Sequence, residues 1–214
     1  MSGYSDSLTP SEGRTVDWKY TGKYLQIGEL VYKNPKTGAI QVYECNRRVT
    51  KNQMVDGSFV LPILKGSCYS EPHLLLIHCF RPAVESYTVS IPAGIVDKGE
   101  TPEQAALREL TEETGYVGKC IDLQLPIPYF CDPWKSNEQQ MVYVVEVDMD
   151  LEENKHPIQH LDESEDIHTD IIALSDLSTY VQDQLSKGYI VSAPLYTLSL
   201  VLGKNSFVSQ IASL

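Results

Sequence analysis

Three glutamates in one short segment are spaced so that they can act together. Glu109, Glu112 and Glu113 are separated by three and four residues, so on a helix they share one stripe. Arg108 lies four residues before Glu112 and is expected to hold that carboxylate. Like charges at this spacing repel each other unless a cation neutralises them, and carboxylate oxygens suit Mg²⁺ or its substitute Mn²⁺. The spacing predicts a metal site, although a solvated acidic helix face would show the same local pattern.

The same segment carries the start and stop signals of a helix over 102–114. Thr101 suits the N-cap position, Pro102 suits the first helical position, and Gln104 completes a capping box with Thr101. Gly115 follows the segment, where a helix commonly ends in a left-handed residue. A helix with these bounds would present the glutamate stripe on one face.

The composition bounds the class of protein and its partners. The 214 residues carry a net charge of -12, which argues against a nucleic-acid backbone or an anionic membrane as partner. Five cysteines form no C-x-x-C pair, so we expect reduced thiols and a cytoplasmic location, with access to the nucleus left open. The first twenty residues lack the apolar stretch of a signal peptide, and no apolar run is long enough for a membrane span.

The order of patterns along the chain predicts three regions. Residues 1–16 are polar and are expected to form a flexible tail. In region 17–56, two strand patterns at 29–32 and 40–45 flank the turn sequence N-P-K-T-G, which predicts a β-hairpin. Region 57–214 is expected to form the main domain.

The main region alternates strand patterns with helical ones. Strands are predicted at 59–64, 74–80, 87–91, 120–123, 141–147 and 167–174, with loops over 125–137 and 148–165. Besides the helix at 102–114, one helix is predicted to be capped by Ser175 and to end at Gly188. Another is predicted from Ser192 to Leu202. A mixed sheet flanked by helices fits this order.

The full segment 94–116 reads G-x5-E-x7-R-E-L-x-E-E-x-G-Tyr, which resembles the Nudix box. The matching positions are Gly94, Glu100, Arg108, Glu109, Leu110, Glu112, Glu113 and Gly115. Tyr116 stands where the family usually has an aliphatic residue, a role that a large apolar ring can fill. The resemblance implies an α/β fold, the Nudix α/β/α sandwich with a mixed sheet, here with an N-terminal β-hairpin subdomain.

Four further stretches look like the ADP-sugar (ADP-ribose) pyrophosphatases of the family, in their eukaryotic dimeric form. They are Y-E-C-N-R-R at 43–48, F-R-P at 80–82, Y-T-V-S-I-P-A-G at 87–94 and D-P-W-K-S-N at 132–137. This resemblance implies a homodimer and Mg²⁺-dependent hydrolysis of ADP-ribose to AMP and ribose 5-phosphate. The alternatives are hydrolysis of a UDP-sugar or an oxidised nucleoside diphosphate, or an ADP-sugar-binding Nudix domain without catalysis.

The resemblance also implies roles for single residues. Glu109, Glu112 and Glu113 would hold the metal with the backbone carbonyl of Ala93, and Arg108 belongs to the same catalytic set. A later carboxylate would act on the attacking water, with Glu165 as the first candidate and Asp166 as the second.

The substrate-binding roles fall mostly in the N-terminal region. Tyr24 and Tyr43 match the two aromatic positions that sandwich the adenine, where this branch commonly has Trp. Glu44 matches a position that contacts the base, and Arg48 and Arg81 match arginines that reach the diphosphate and the terminal ribose.

One position outside these roles departs from the pattern. Ser90 stands where relatives often carry an acidic residue, which is expected to alter an outer metal contact or a salt bridge to an arginine.

Overall fold

The structure is a computed structural model, and it describes residues 15–49, 55–122 and 127–203. Two compact units divide the chain. The first comprises Met1–Asp56 and Pro128–Gln140, and the second comprises Gly57–Ile127 and Met141–Leu214. Within the three described ranges, no helix has both the length and the apolar character needed to cross a membrane.

The described residues form twelve strands and three α-helices. The strands are β1 (Thr15–Thr21), β2 (Leu25–Lys33), β3 (Ile40–Arg48), β4 (Gly57–Lys65), β5 (His73–Arg81), β6 (Ser86–Ser90), β7 (Ala93–Ile95), β8 (Lys119–Cys120), β9 (Tyr129–Phe130), β10 (Gln139–Asp148), β11 (Ile167–Ala173) and β12 (Ile190–Val191). The helices are α1 (Pro102–Thr114), α2 (Leu177–Ser186) and α3 (Ala193–Val201).

The first unit contains a three-stranded antiparallel sheet in the order β1-β2-β3. The predicted hairpin is confirmed as β2 and β3, both longer than expected, and the Asn34 side chain accepts hydrogen bonds from two backbone amides in the turn between them. Strand β1 was not predicted, and it begins at Thr15, inside the expected tail. Its Val16 and Trp18 alternate with polar residues, which is the period of a half-buried strand. The rest of the tail lies outside the described residues.

The second unit is built around a mixed sheet. The order β12-β6-β5-β4-β10-β8 forms its main path, with β11 added to β5 and β7 added to β4. Strand β12 is parallel to β6, whereas β6, β4 and β11 are each antiparallel to β5. The mixed sheet predicted from the sequence is therefore confirmed.

Helices cover both faces of this sheet. Helix α1 places Ala106 and Leu110 in one apolar cluster with Val60 and Val145 of the sheet. Tyr116 also packs in that cluster and is buried, so its ring fills the position expected for an aliphatic side chain. On the opposite face, α2 and α3 pack Leu177, Val181 and Leu195 against Leu74, Leu76 and Val89. This is the α/β/α layering that the resemblance implied.

The second helix begins later than predicted. Ser175 was expected to cap it, but a 3-10 turn over Leu174–Asp176 comes first, and Asp176 is the N-cap without a side-chain cap bond. Helix α3 follows Ser192 as predicted. Four short strands, β7, β8, β9 and β12, have two or three residues each and are too short to show a period. Only the first residue of the predicted strand 120–123 belongs to β8, and residue 123 lies outside the described residues.

Candidate active site

The local sequence fixes both ends of α1 and therefore the direction of its glutamates. The backbone N–H of Gln104 donates to Thr101 Oγ1 at 3.2 Å, and the N–H of Thr101 donates to Gln104 Oε1 at 2.9 Å. At the other end, Gly115 has φ 76°, in the left-handed region that glycine tolerates. The predicted capping box and helix bounds are confirmed.

Arg108 organises the carboxylates around α1. Its guanidinium donates from Nη1 to Glu109 Oε1 at 2.7 Å and to Glu112 Oε2 at 2.8 Å. It also donates to both oxygens of Glu100, at 3.0 and 3.1 Å, and to the carbonyl of Ile95 at 2.9 Å. The predicted contact with Glu112 is confirmed, and these hydrogen bonds to charged groups hold the pKa of Arg108 above its usual range.

Glu113 is the most deeply buried of the three glutamates, with 3% of the residue exposed. Its Oε2 accepts a hydrogen bond from the backbone N–H of Ala93 at 3.0 Å, so β7 lies directly beside this carboxylate. Burial, followed by the negative charge of Glu109, raises the pKa of Glu113 to about 8, although the Ala93 N–H and the charge of Arg81 oppose the shift. No Lys, Arg or His of the described segments forms a salt bridge with Glu113.

Glu109 lies against the backbone of Gly94. A Cβ added at Gly94 would overlap the Glu109 carboxylate. Even the farther oxygen of that carboxylate, Oε2, would lie only 2.6 Å from the added Cβ. Burial also raises the pKa of Glu109, whereas the hydrogen bond from Arg108 lowers it. The first glycine of the 94–116 segment therefore leaves the space that this carboxylate occupies.

The donor set fits a hard divalent cation. Glu109 and Glu113 supply carboxylate oxygens that are largely removed from water. Burial raises the pKa of both groups, and the charge of Glu109 raises that of Glu113 further, which a bound cation would reverse. Within the described ranges, no three His, Cys, Asp or Glu side chains already converge as a metal cluster. Glu109 and Glu112 are instead held by Arg108, so a cation would take carboxylate oxygens that Arg108 does not occupy.

The structure separates Glu165 from Asp166. Ile167 packs with Ile77 and Cys79, whereas His168 pairs with His78 on the other face of the sheet. The bonds of Asp166 to the Tyr87 hydroxyl and the Phe80 N–H place it on the face of His168. The alternation of β11, continued by two residues, puts Glu165 on the face of Ile167.

The charges around the glutamates agree with this assignment. The negative charge of Glu165 raises the pKa of both Glu109 and Glu113. The Asp166 carboxylate instead accepts a hydrogen bond from the hydroxyl of Tyr87. Glu165 is therefore the candidate that lies with the carboxylates of α1.

Two other predicted positions belong to the second unit. Arg81 ends β5, and its positive charge lowers the pKa of Glu113, which places the guanidinium within electrostatic reach of that carboxylate. Ser90 ends β6 and is buried, opposite Ile77 in the sheet register. A serine therefore occupies a buried position at the end of β6.

The remaining predicted positions belong to the first unit. Tyr24 and Tyr43 both expose close to half of their surface, and the Tyr43 hydroxyl donates to the carbonyl of Trp134. Arg48 forms a salt bridge with Glu138 at 3.0 Å. Glu44 is adjacent to Tyr43 in β3, so its side chain lies on the opposite face of the sheet.

A cavity of about 750 Å³ opens in the first unit. Its lining is rich in aromatic and cationic side chains and includes Trp18, Tyr32, Tyr43, Arg47, Phe130 and Lys135. Tyr24, Glu44 and Arg48 are not among the lining residues. Of the four predicted substrate-binding positions in this unit, Tyr43 lines the cavity and the other three do not.

Sequence reasoning did not assign a role to Tyr87 or His168, which both contact Asp166. The alternation of side chains along the strands could have grouped these residues on one face, but only if β6, β5 and β11 were already known to be neighbours.

Comparison with known proteins identifies the family. Residues 66–191 match the model of the NUDIX domain. The chain is 35% identical to an ADP-ribose pyrophosphatase of Saccharomyces cerevisiae, over 90% of this chain and 83% of the relative. It is 32% identical to an ADP-sugar pyrophosphatase of Mus musculus (85% and 82% covered) and to putative nudix hydrolase 2 of Caenorhabditis elegans (85% and 80% covered).

The fold is also similar to a solved crystal structure of an ADP compounds hydrolase. The TM-score is 0.57 at 21% identity, over 80% of this chain and 84% of that one, which supports the fold. The chain belongs to the Nudix hydrolase family. It is therefore a hydrolase, of a family whose members generally use a divalent metal ion.

Proposed function

We propose that this enzyme hydrolyses the diphosphate of ADP-ribose and related ADP-sugars, giving AMP and ribose 5-phosphate, with Mg²⁺ as its cofactor. The observation that carries the proposal is the group of desolvated carboxylates, Glu109 and Glu113, packed against the backbone of Gly94 and Ala93. The names of the yeast and mouse relatives support the choice of substrate.

The roles of the box residues follow from their environment. Glu109, Glu112 and Glu113 would hold Mg²⁺ together with the carbonyl of Ala93, and bound Mg²⁺ would neutralise the diphosphate and make a coordinated water more acidic. Arg108 keeps Glu109 and Glu112 in a fixed orientation while Glu113 stays oriented by the Ala93 N–H. Glu165 would accept the proton of the attacking water, since it lies on the same face as these groups.

Arginines and tyrosines would hold the substrate. Arg81 and Arg48 suit the diphosphate and terminal ribose, because a guanidinium binds phosphate oxygens in a bidentate way. Tyr24 and Tyr43 would stack on the adenine, and Glu44 would contact its edge. In this proposal region 17–56 binds the base and region 57–214 catalyses hydrolysis, in the cytoplasm.

The exposed face of the N-terminal sheet supports a homodimer. Ile27, Ile40 and Val42 lie on the sheet face opposite Tyr43, and each exposes half or more of its surface. Glu44 shares that face, so in the proposed dimer it would lie at the subunit interface. Sedimentation velocity should show a dimer, and the charged variant Val42→Glu should give an inactive monomer. A fully active monomer would refute this part of the proposal.

The experiment that tests the substrate compares kcat/KM for ADP-ribose, UDP-glucose and an oxidised nucleoside diphosphate at fixed Mg²⁺. We expect ADP-ribose to be preferred by at least about tenfold, since purine stacking and Glu44 favour an adenine base. A preference for UDP-glucose or for the oxidised nucleotide would show that the proposed substrate is wrong and that the preferred compound represents the substrate class. Tight binding of ADP-ribose without turnover would indicate a binding domain.

A further inference from the structure

We propose that Asp166 is a positioning residue whose carboxylate, held by Tyr87 and His168, directs the neighbouring Glu165 toward the carboxylates of α1. This inference rests on the proposed function, in which Glu165 accepts a proton from water. Asp166 itself would touch neither substrate nor metal, because its side chain lies on the sheet face opposite to the one that α1 covers.

Three strands contribute to the contacts of Asp166. The Tyr87 hydroxyl of β6 donates to Asp166 Oδ2, and His168 Nε2 of β11 lies 3.3 Å from Oδ1. The backbone N–H of Phe80 in β5 donates to the carbonyl of Asp166 at 3.3 Å. Both the side chain and the backbone of this residue are therefore attached to the sheet.

Two neighbouring rings restrict the ring of Tyr87. Phe80 packs against it edge to face, with ring centroids 5.6 Å apart and planes at 70°. The imidazole of His168 lies on another side, with centroids 6.0 Å apart. The hydrogen bond to Asp166 also raises the pKa of Tyr87, as expected for a hydroxyl that donates to a carboxylate.

The residues before Asp166 depend on this attachment. Asp162 and Glu165 close a turn, in which the N–H of Glu165 donates to the Asp162 carbonyl at 2.9 Å and the Asp162 N–H donates to Glu165 Oε2 at 3.0 Å. These bonds are internal to the turn and do not fix its orientation on the sheet. On one side of the turn, Leu161 packs against the cluster of Ile77, Cys79 and Ile167. On the other side Asp166, next to Glu165, joins the turn to β5 and β6 and so helps to orient Glu165.

The kinetic test uses Tyr87→Phe, which removes one hydroxyl and keeps the ring. We expect kcat for ADP-ribose to fall about tenfold with KM unchanged, the effect of losing one hydrogen bond to a charged group. Asp166→Ala should lower kcat in the same way, and the double variant Tyr87→Phe/Asp166→Ala should be no less active than either single variant. Asp166→Asn should keep most of the wild-type activity, because its side chain retains an acceptor oxygen. In a Glu165→Gln background, Tyr87→Phe should have no further effect.

A second measurement does not need activity. Hydrogen exchange of the amides of 162–166 should be faster in Tyr87→Phe and Asp166→Ala than in the wild type, while exchange in α1 stays the same. Unchanged exchange in 162–166 would overturn the proposal, as would a wild-type kcat for Tyr87→Phe or an equal loss in the Glu165→Gln background. If the wild-type protein hydrolysed no nucleotide sugar, the proposed function would be refuted. The exchange measurement would still show whether Tyr87 and Asp166 hold residues 162–166 on the sheet.

Discussion

The contact between Gly94 and Glu109 gives the sharpest prediction. In Gly94→Ala, the added methyl group would overlap the Glu109 carboxylate, whose farther oxygen would lie 2.6 Å from the new carbon. Ordinary contact requires about 3.5 Å, so the carboxylate must move by about 1 Å or more. Gly94 does not have a positive φ, so the substitution adds no backbone strain.

The cost should fall on catalysis more than on stability. A displacement of about 1 Å at a group that positions the reaction can lower the rate by about 10²-fold. The Glu109 side chain is also held by Arg108 at 2.7 Å, so the displacement disturbs that ion pair as well. We expect kcat for ADP-ribose to fall by about 100-fold, and the free energy of unfolding to fall by only about 1 kcal/mol.

The assay measures kcat by product chromatography and stability by urea unfolding. Gly66→Ala is the matched control, because its new Cβ would lie 2.8 Å from Met149 Cβ, within a different part of the unit. It should lower stability and leave kcat unchanged. A Gly94→Ala enzyme with near-normal kcat would refute the assignment of Glu109 to the site.

Three further predictions follow from side-chain contacts. Arg108→Lys cannot reproduce the forked contacts of the guanidinium, and we expect kcat to fall at least about tenfold and the unfolding free energy by about 2 kcal/mol, measured by kinetics and urea unfolding. Unchanged values would contradict an organising role. Asn154→Ala removes a buried amide that bonds Val117 N, Val117 O and the Asp148 carbonyl, and should cost about 3 kcal/mol of stability with normal kcat. Burial raises the pKa of the Cys120 and Cys131 thiols to about 11, so at pH 8 a thiol reagent should modify the exposed Cys68 first. The reactivity of Cys120 and Cys131 should rise with pH. Equal rates of modification of all three thiols at pH 8 would contradict this prediction.

Local signals were sufficient to predict α1 from the sequence. Its capping box, Pro102 and Gly115 act within a few residues, so the bounds of the helix follow from nearby chemistry. The longer strands of the second unit were also predictable, because their apolar runs span several residues, whereas β1 has no such run and was missed. The short strands were not, since their position depends on partners that are distant in the chain.

The candidate site was predictable in part. The stripe of glutamates and the contact between Arg108 and Glu112 follow from helical spacing. The choice between Glu165 and Asp166 did not follow, because adjacent residues can be separated only by knowing which face of the sheet each one occupies.

In the proposed function, the buried carboxylates on α1 support metal-dependent hydrolysis of a nucleotide sugar. The most direct test incubates wild type and Glu113→Gln with ADP-ribose and Mg²⁺ and measures AMP and ribose 5-phosphate. We predict Mg²⁺-dependent formation of both products by the wild type, and at least about a 100-fold loss in a folded Glu113→Gln variant, since a metal ligand contributes several kcal/mol to transition-state stabilisation. Near-normal turnover by Glu113→Gln, or wild-type turnover that is unchanged by a chelator, would contradict metal-dependent catalysis by these carboxylates.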